Sequence, residues 1–212
     1  MYITLSECNK LNNKPFKHIV HIGAHDGAEI TDYANNGIES VVWVEASRRF
    51  MAPLYENTRK YTGVKQEYLN VCLSDVEGEE ITFNISSNGQ SSSMLELGTH
   101  ATLYPHITYT GKETVITKRF DKLSIEKKLN IDRVDFINLD VQGAELKVLK
   151  GFGDLLSSTN LKAIYTEINF EEVYKGCCLA ADLDGYLAPF GFKRVLTRGE
   201  CKEWGDALYL CK

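Results

Sequence analysis

An apolar strand, His18-Ile19-Val20-His21-Ile22, runs into a turn with glycines at 23 and 27, and then into a helix and a second strand. That second strand, Val41–Glu45, is apolar until its last residue, an acid placed 18 residues after Gly27. Strand, glycine turn, helix, strand, acid is the opening of a doubly wound α/β sheet. Such sheets bind a nucleoside in the crevice beyond the carboxyl ends of their strands. The glycines let the backbone approach the ligand, and the acid accepts hydrogen bonds from two ribose hydroxyls. The expected ligand is a cofactor that contains adenosine.

The rest of the chain alternates strands and helices, which predicts a parallel sheet covered on both faces. A helix is expected over Ala28–Ala34, capped by Asp26 and ended by Asn36-Gly37. Another is expected over Phe50–Tyr61, capped by Ser47, where Pro53 is tolerable only in the first turn. Val64–Tyr68 reads as a strand near the sheet edge, and Val71–Ser74 with Glu80–Ile85 as a hairpin or meander. Residues 86–93 are polar throughout and read as a loop with the character of a mobile lid. Thr114–Thr117 is a strand that leads into a short helix at Arg119–Leu123. Val134–Asp140 reads as a buried strand, followed by a helix opened by Gly143, over Ala144–Lys150, and stopped by Gly151. Leu161–Ile168 is the next strand, and a helix over Leu179–Leu187 stops at Pro189. Phe192–Leu196 and Ala207–Cys211 read as an antiparallel closing hairpin, unusual for a dinucleotide dehydrogenase and normal for the methyltransferase variant of this fold.

With 212 residues the chain can bury one sizeable core, and a single domain over 1–212 is expected. A net charge of −5 without a block of Lys or Arg offers nothing to nucleic acid. No apolar run reaches transmembrane length and no basic-then-apolar leader opens the sequence, so the expected location is the cytoplasm. The cysteines at 8, 72, 177, 178, 201 and 211 include no C-x-x-C pair and read as reduced, structural thiols.

The turn Gly23-Ala24-His25-Asp26-Gly27 lacks the third glycine that seats a pyrophosphate on a helix amino terminus. S-adenosylmethionine has no phosphates, so this looser turn suffices for it. Three acids, Glu45, Asp140 and Glu167, fall at strand carboxyl ends. Asp140 and Glu167 end neighbouring strands and face one crevice, as a general base, as acceptors for substrate hydroxyls or, with Asn169, as ligands for Mg²⁺. The plainer alternative has Asp140 capping a turn and Glu167 paired with a lysine. His25 lies inside the glycine turn, and His100 and His106 flank the lid, within reach of a substrate. His18 and His21 read as satisfied histidines of the first strand.

Together, His21–Gly27, Val44-Glu45-Ala46, Leu73-Ser74-Asp75-x-x-Gly78 and Asn138-Leu139-Asp140-Val141-Gln142-Gly143-Ala144-Glu145 closely resemble the FkbM family of S-adenosylmethionine-dependent methyltransferases. Arg119–Leu123 and Tyr165–Ile168 support the likeness. It implies a class I methyltransferase (Rossmann-like) fold, with a seven-stranded mostly parallel sheet, an antiparallel C-terminal strand and helices on both faces. It also implies O-methylation of a sugar, glycan or similar small hydroxylated acceptor. By position, Gly23, His25 and Gly27 would surround the methionine part of S-adenosylmethionine, with His21 and Asp26 beside them. Glu45, with Ala46, would hold the ribose, and Asn70, Val71 and Cys72 would approach the adenine. Ser92 and Ser93 would cover it, Asp140 would lie near the reactive methyl, and Glu145 would brace the site. Two positions depart from the family: His21 stands where an acid is usual, and Gln142 where a glutamate is.

The expected mechanism is direct displacement, with Asp140 first as base or orienting group and His25, His106 and Glu167 behind it. Mg²⁺ assistance is a less favoured variant. The competing readings are a nicotinamide-dependent oxidoreductase or epimerase, and a cofactor-binding module without catalysis.

Overall fold

The computed structural model describes residues 2–199 and 201–211. Helix α1 (Leu5–Asn12) precedes β1 (His18–Ile22), α2 (Ile30–Asn35), β2 (Ser40–Glu45), α3 (Arg48–Thr58) and β3 (Lys65–Asn70). Strands β4 (Cys72–Leu73), β5 (Glu80–Ser86) and β6 (Tyr109–Lys118) follow, with the short α4 (His100–Leu103) between the last two. Then come α5 (Phe120–Glu126), β7 (Phe136–Leu139), α6 (Glu145–Phe152), β8 (Ala163–Asn169), α7 (Ala180–Leu187), β9 (Phe192–Arg198) and β10 (Trp204–Cys211).

Seven strands form one sheet in the order β3-β2-β1-β7-β8-β10-β9, all parallel except the closing β10, which runs antiparallel to both neighbours. The order reverses between β1 and β7, so the crevice beyond Ile22 and Leu139 is the topological switch point. One face of the sheet packs Val20, Ile137, Leu139 and Ile164 against α5, α6 and α7 residues such as Leu123, Leu149 and Leu183. The other packs Ile19, Trp43, Phe136 and Tyr165 beneath α1, α2 and α3 through Leu5, Tyr33 and Leu54. Both faces are therefore apolar, as alternate residues on each parallel strand require.

Several elements differ from the sequence reading. Asp26 does not cap α2; Glu29 precedes it without a side-chain cap bond. Helix α3 begins at Arg48 with Ser47 as its cap, so Pro53 falls in the second turn, where it has no N–H to give. Segments β4 and β5 do not pair with each other. Both pair with β6, in a separate three-stranded sheet, because β6 extends over ten residues and supplies both edges. Helix α6 continues through Gly151, packed on the Ser74 carbonyl, and ends at Gly153. Residues 86–93 form a bonded turn rather than a loose loop: Asn84 and Ser93 exchange backbone hydrogen bonds, and the Ser92 hydroxyl accepts from the Ser86 N–H. All six cysteines are free, and burial pushes the thiols of Cys8, Cys72 and Cys178 up to about 12, which keeps them unreactive. Among the described residues no helix is long and apolar enough to cross a membrane.

Candidate active site

The glycine turn is shaped by the protein itself. Gly23 takes φ +81°, and a Cβ there would lie 1.6 Å from the Asp140 carbonyl oxygen. Its missing side chain lets the ends of β1 and β7 close on each other, where sequence reasoning assigned it to ligand approach. A Cβ at Gly27 would meet Leu54 and Thr58 of α3, so that glycine is likewise consumed by packing. Glu45, nearly buried at the end of β2, ties the turn down. One carboxylate oxygen accepts from the His25 N–H at 2.8 Å and the other from the Ser47 N–H at 2.8 Å. Burial raises its carboxyl, and the two N–H donors pull it back.

Beside Glu45 lies a narrow apolar slot lined by Ala46, Phe50, Val71, Cys72, Leu73, Phe83 and Met94, with Ser92 at its wall. The His25 ring, 4.2 Å from that of Phe50, reaches into it. Its Nε2 is buried without a partner, while Nδ1 lies 3.4 Å from the Asp26 carboxylate. An enclosed apolar slot with a buried carboxylate and an unanswered ring nitrogen suits a purine nucleoside.

The slot opens into a wider cleft of about 470 Å³. Asp26, Glu29, Asp140, Glu167 and Asp206 line it, and among the described residues no lysine or arginine does. His21 lies on its floor, its Nδ1 3.1 Å from the Tyr33 hydroxyl, which accepts from the Asn138 amide at 2.7 Å. Burial lowers the pKa of His21, so the ring is neutral. On the far side, Tyr2, Trp204, Tyr104, His100 and Tyr174 form an aromatic arc. Trp204 Nε1 donates to the Tyr104 hydroxyl at 3.0 Å, and the His100 ring lies between Tyr104 and Tyr174.

Asp140 stands where slot and cleft meet and lines both. Its carboxylate is open to the cleft yet crowded by protein, and that desolvation raises it above the usual aspartate range. Glu167 is more enclosed. Burial first, and then the charges of Asp140 and Glu145, push its carboxyl far up. Gln142 donates from Nε2 to both, to Asp140 Oδ1 at 2.7 Å and Glu167 Oε2 at 2.8 Å. Glu145, fully buried in the first turn of α6, accepts the N–H groups of Val141 and Gly143 and so braces this loop.

The methyltransferase FkbM domain model matches residues 21–194, which span β1 to β9 and hold nearly the whole of this site. The protein belongs to the FkbM methyltransferase family. Its curated relative, the 2-O-methyltransferase NoeI of Sinorhizobium fredii (strain NBRC 101917 / NGR234), is 30% identical over 175 residues, covering 78% of this chain and 69% of NoeI. The fold is that of the class I S-adenosylmethionine-dependent methyltransferases. Magnesium protoporphyrin IX methyltransferase of Synechocystis PCC 6803, solved with bound SAM, superposes with TM-score 0.55 at 12% identity, over 98% of this chain and 76% of that one. The ribosomal protein L11 methylase of Lactobacillus delbrueckii subsp. bulgaricus does so with TM-score 0.51 at 12% identity, over 98% and 78%. This chain is thus an S-adenosylmethionine-dependent methyltransferase, and the nicotinamide reading is set aside.

In this FkbM methyltransferase His21, Gly23, His25, Asp26, Glu45, Ala46, Val71, Cys72, Ser92, Asp140 and Glu167 all line the slot or the cleft. Four candidates do not. The Gly27 turn faces α3. Asn70 spends its amide on the carbonyls of Glu45 and Ala46. Ser93 is fully buried and donates to the Gln142 carbonyl. His106 lies exposed on the surface, outside the cleft. Asn169 is buried off the cleft lining, and the Gln142 amide nitrogen sits between the two carboxylates, so Asp140, Glu167 and Asn169 do not assemble a cation cage. Tyr174, Trp204 and Asp206 carried no local signal, and Tyr165 entered only as part of the family likeness. Asp206 reaches the cleft only because β10 pairs it with Glu167, and Tyr165 hydrogen-bonds it there.

Proposed function

We propose that this methyltransferase O-methylates a hydroxyl of a sugar, glycan or similar small acceptor, with Asp140 as the base that accepts the hydroxyl proton. The observation that carries this reading is the placement of Asp140 at the joint between the narrow apolar slot and the aromatic cleft. In the slot, Glu45 takes the ribose hydroxyls and the apolar walls take the adenine. At its mouth, Asp26 and Glu29 would hold the ammonium of the methionine part, and the neutral His21 ring would lie toward its carboxylate end. When bound, S-adenosylmethionine supplies a methyl group already activated by its sulfonium. The protein's remaining task is to orient an acceptor oxygen and remove its proton.

The cleft suits a neutral polyol. Aromatic faces stack on the C–H face of a sugar ring, and carboxylates accept from its hydroxyls. A cleft lined by acidic side chains and, among the described residues, by no lysine or arginine disfavours a phosphorylated or uronic acceptor. The name of NoeI, a 2-O-methyltransferase, agrees with a hydroxyl as the methylated group. Because the Asp140 carboxyl is raised, kcat/KM falls with decreasing pH earlier than an ordinary aspartate would dictate.

The test is a labelled-methyl assay against neutral methyl glycosides, amino sugars, uronic acids and sugar phosphates. Transfer to neutral glycosides, lost in Asp140→Asn while S-adenosylhomocysteine still binds, supports the reading. Binding of S-adenosylhomocysteine without transfer to any acceptor would leave the non-catalytic module in its place.

A further inference from the structure

Gln142 takes φ +54°, in the left-handed region that few non-glycine residues adopt, and is held there from three sides. Its carbonyl accepts from the Ser93 hydroxyl of the lid turn at 2.8 Å. Its side-chain oxygen accepts from the Tyr174 hydroxyl, which fixes the direction of the amide. An amide oxygen carries no hydrogen, so the phenol must be the donor, and the NH₂ must face the other way. There its two hydrogens meet one oxygen of Asp140 and one of Glu167. The two carboxylates are thereby held on a single nitrogen.

Two like charges held on one nitrogen in crowded surroundings disfavour each other's ionisation. The other groups that face the pair reinforce this. Glu29 approaches from the turn before α2, Glu145 from α6, Asp206 from β10 and Cys201 from the turn before it, and the chain's amino terminus and His25 oppose them. The two acids differ in access: Asp140 opens to the cleft, and Glu167 is 6% exposed.

We propose that the two acids share one proton at neutral pH, and that Gln142 is a positioning residue that holds both carboxyls on its amide, so that the proton rests on the enclosed Glu167 and Asp140 stays ionised toward the acceptor hydroxyl. The proposal rests on the reading of Asp140 as base. A glutamate at 142 would remove the donor and add a third carboxylate, so the glutamine is what allows this pair to divide its roles. Gln142 also links the proton pair to the lid turn through Ser93 and to the aromatic arc through Tyr174.

The experiment reads the protons without an acceptor. The full chain, labelled with ¹³C at the Asp and Glu side-chain carboxyls and saturated with S-adenosylhomocysteine, is titrated by NMR, and Asp140→Asn and Glu167→Gln assign the signals. At pH 7 Glu167 should be protonated and Asp140 ionised. In Gln142→Met the Asp140 midpoint should rise by about one pH unit, a tenfold fall in its ionised fraction below the midpoint. Tyr174→Phe should give a smaller rise, because it frees the amide to rotate. Both carboxylates ionised at pH 7 in the unmodified protein would overturn the proposal, and that result needs no folded variant. An Asp140 midpoint unchanged in a folded Gln142→Met protein would overturn it as well. Failure of Asp140 as base would instead appear as an Asp140→Asn enzyme of full activity, with these titrations intact.

Discussion

Two acidic centres sit at the same edge of one sheet and are built in opposite ways. Glu45, at the end of β2, has a backbone N–H for each oxygen, both at 2.8 Å. Asp140 and Glu167, at the ends of β7 and β8, share the single amide nitrogen of Gln142. A carboxylate with a main-chain donor on each oxygen is fixed in position, fit to hold a ligand. Two carboxylates on one donor compete for charge and are fit to move a proton. The difference separates holding from chemistry within a single crevice.

The largest expected effect falls on the second centre. Asp140→Asn should lower kcat by about 10²- to 10⁴-fold, the range of a lost general base, with S-adenosylhomocysteine affinity changed only a few-fold. A large loss of affinity with modest loss of kcat would make Asp140 a holding acid like Glu45 and erase the contrast. Next is Glu45→Gln, which turns an amide NH₂ toward a backbone N–H. Charged hydrogen bonds of about 1.5–3 kcal/mol are at stake, so S-adenosylhomocysteine should bind about 10- to 100-fold more weakly and the melting temperature should fall. Wild-type affinity in that variant, measured by calorimetry, would remove Glu45 from the cofactor site.

A smaller effect concerns Glu145, which braces the loop beneath Asp140. Burial raises its carboxyl from 4.5 to about 7, so the folded state binds the proton more tightly than the unfolded chain. Stability from this group is full below pH 4.5 and is lost as pH rises to about 7. Glu145→Gln should therefore flatten the decline in melting temperature across that window. A decline of unchanged slope by scanning calorimetry assigns it to other groups. Smallest of all is His106→Ala, expected to leave kcat and KM within about twofold because the residue is exposed away from the cleft, as surface changes usually are.

Much of the scaffold was legible because its signals are local. Apolar runs at 18–22, 41–45 and 163–169 become parallel strands buried on both faces, and Ser47 caps α3 through its own hydroxyl. The acids at 45, 140 and 167 announced themselves by ending those runs. What failed was pairing and orientation. Nothing local says that β4 and β5 both turn to β6, or that His106 points away while His100, six residues earlier, enters the cleft.

The sequence by itself determined the strand–turn–helix order, the acids at the strand ends and, through the segment around Asp140, the family. Each depends on residues near one another in the chain. Tertiary structure alone decided what the glycines and the amide do. Gly23 is required by the Asp140 carbonyl, 117 positions away, because β1 and β7 are neighbours only across the switch point. Gln142 joins two acids and a tyrosine because β8 and the segment after it fold back over the end of β7. Proton sharing depends on distance and burial, and neither is written in a linear spacing.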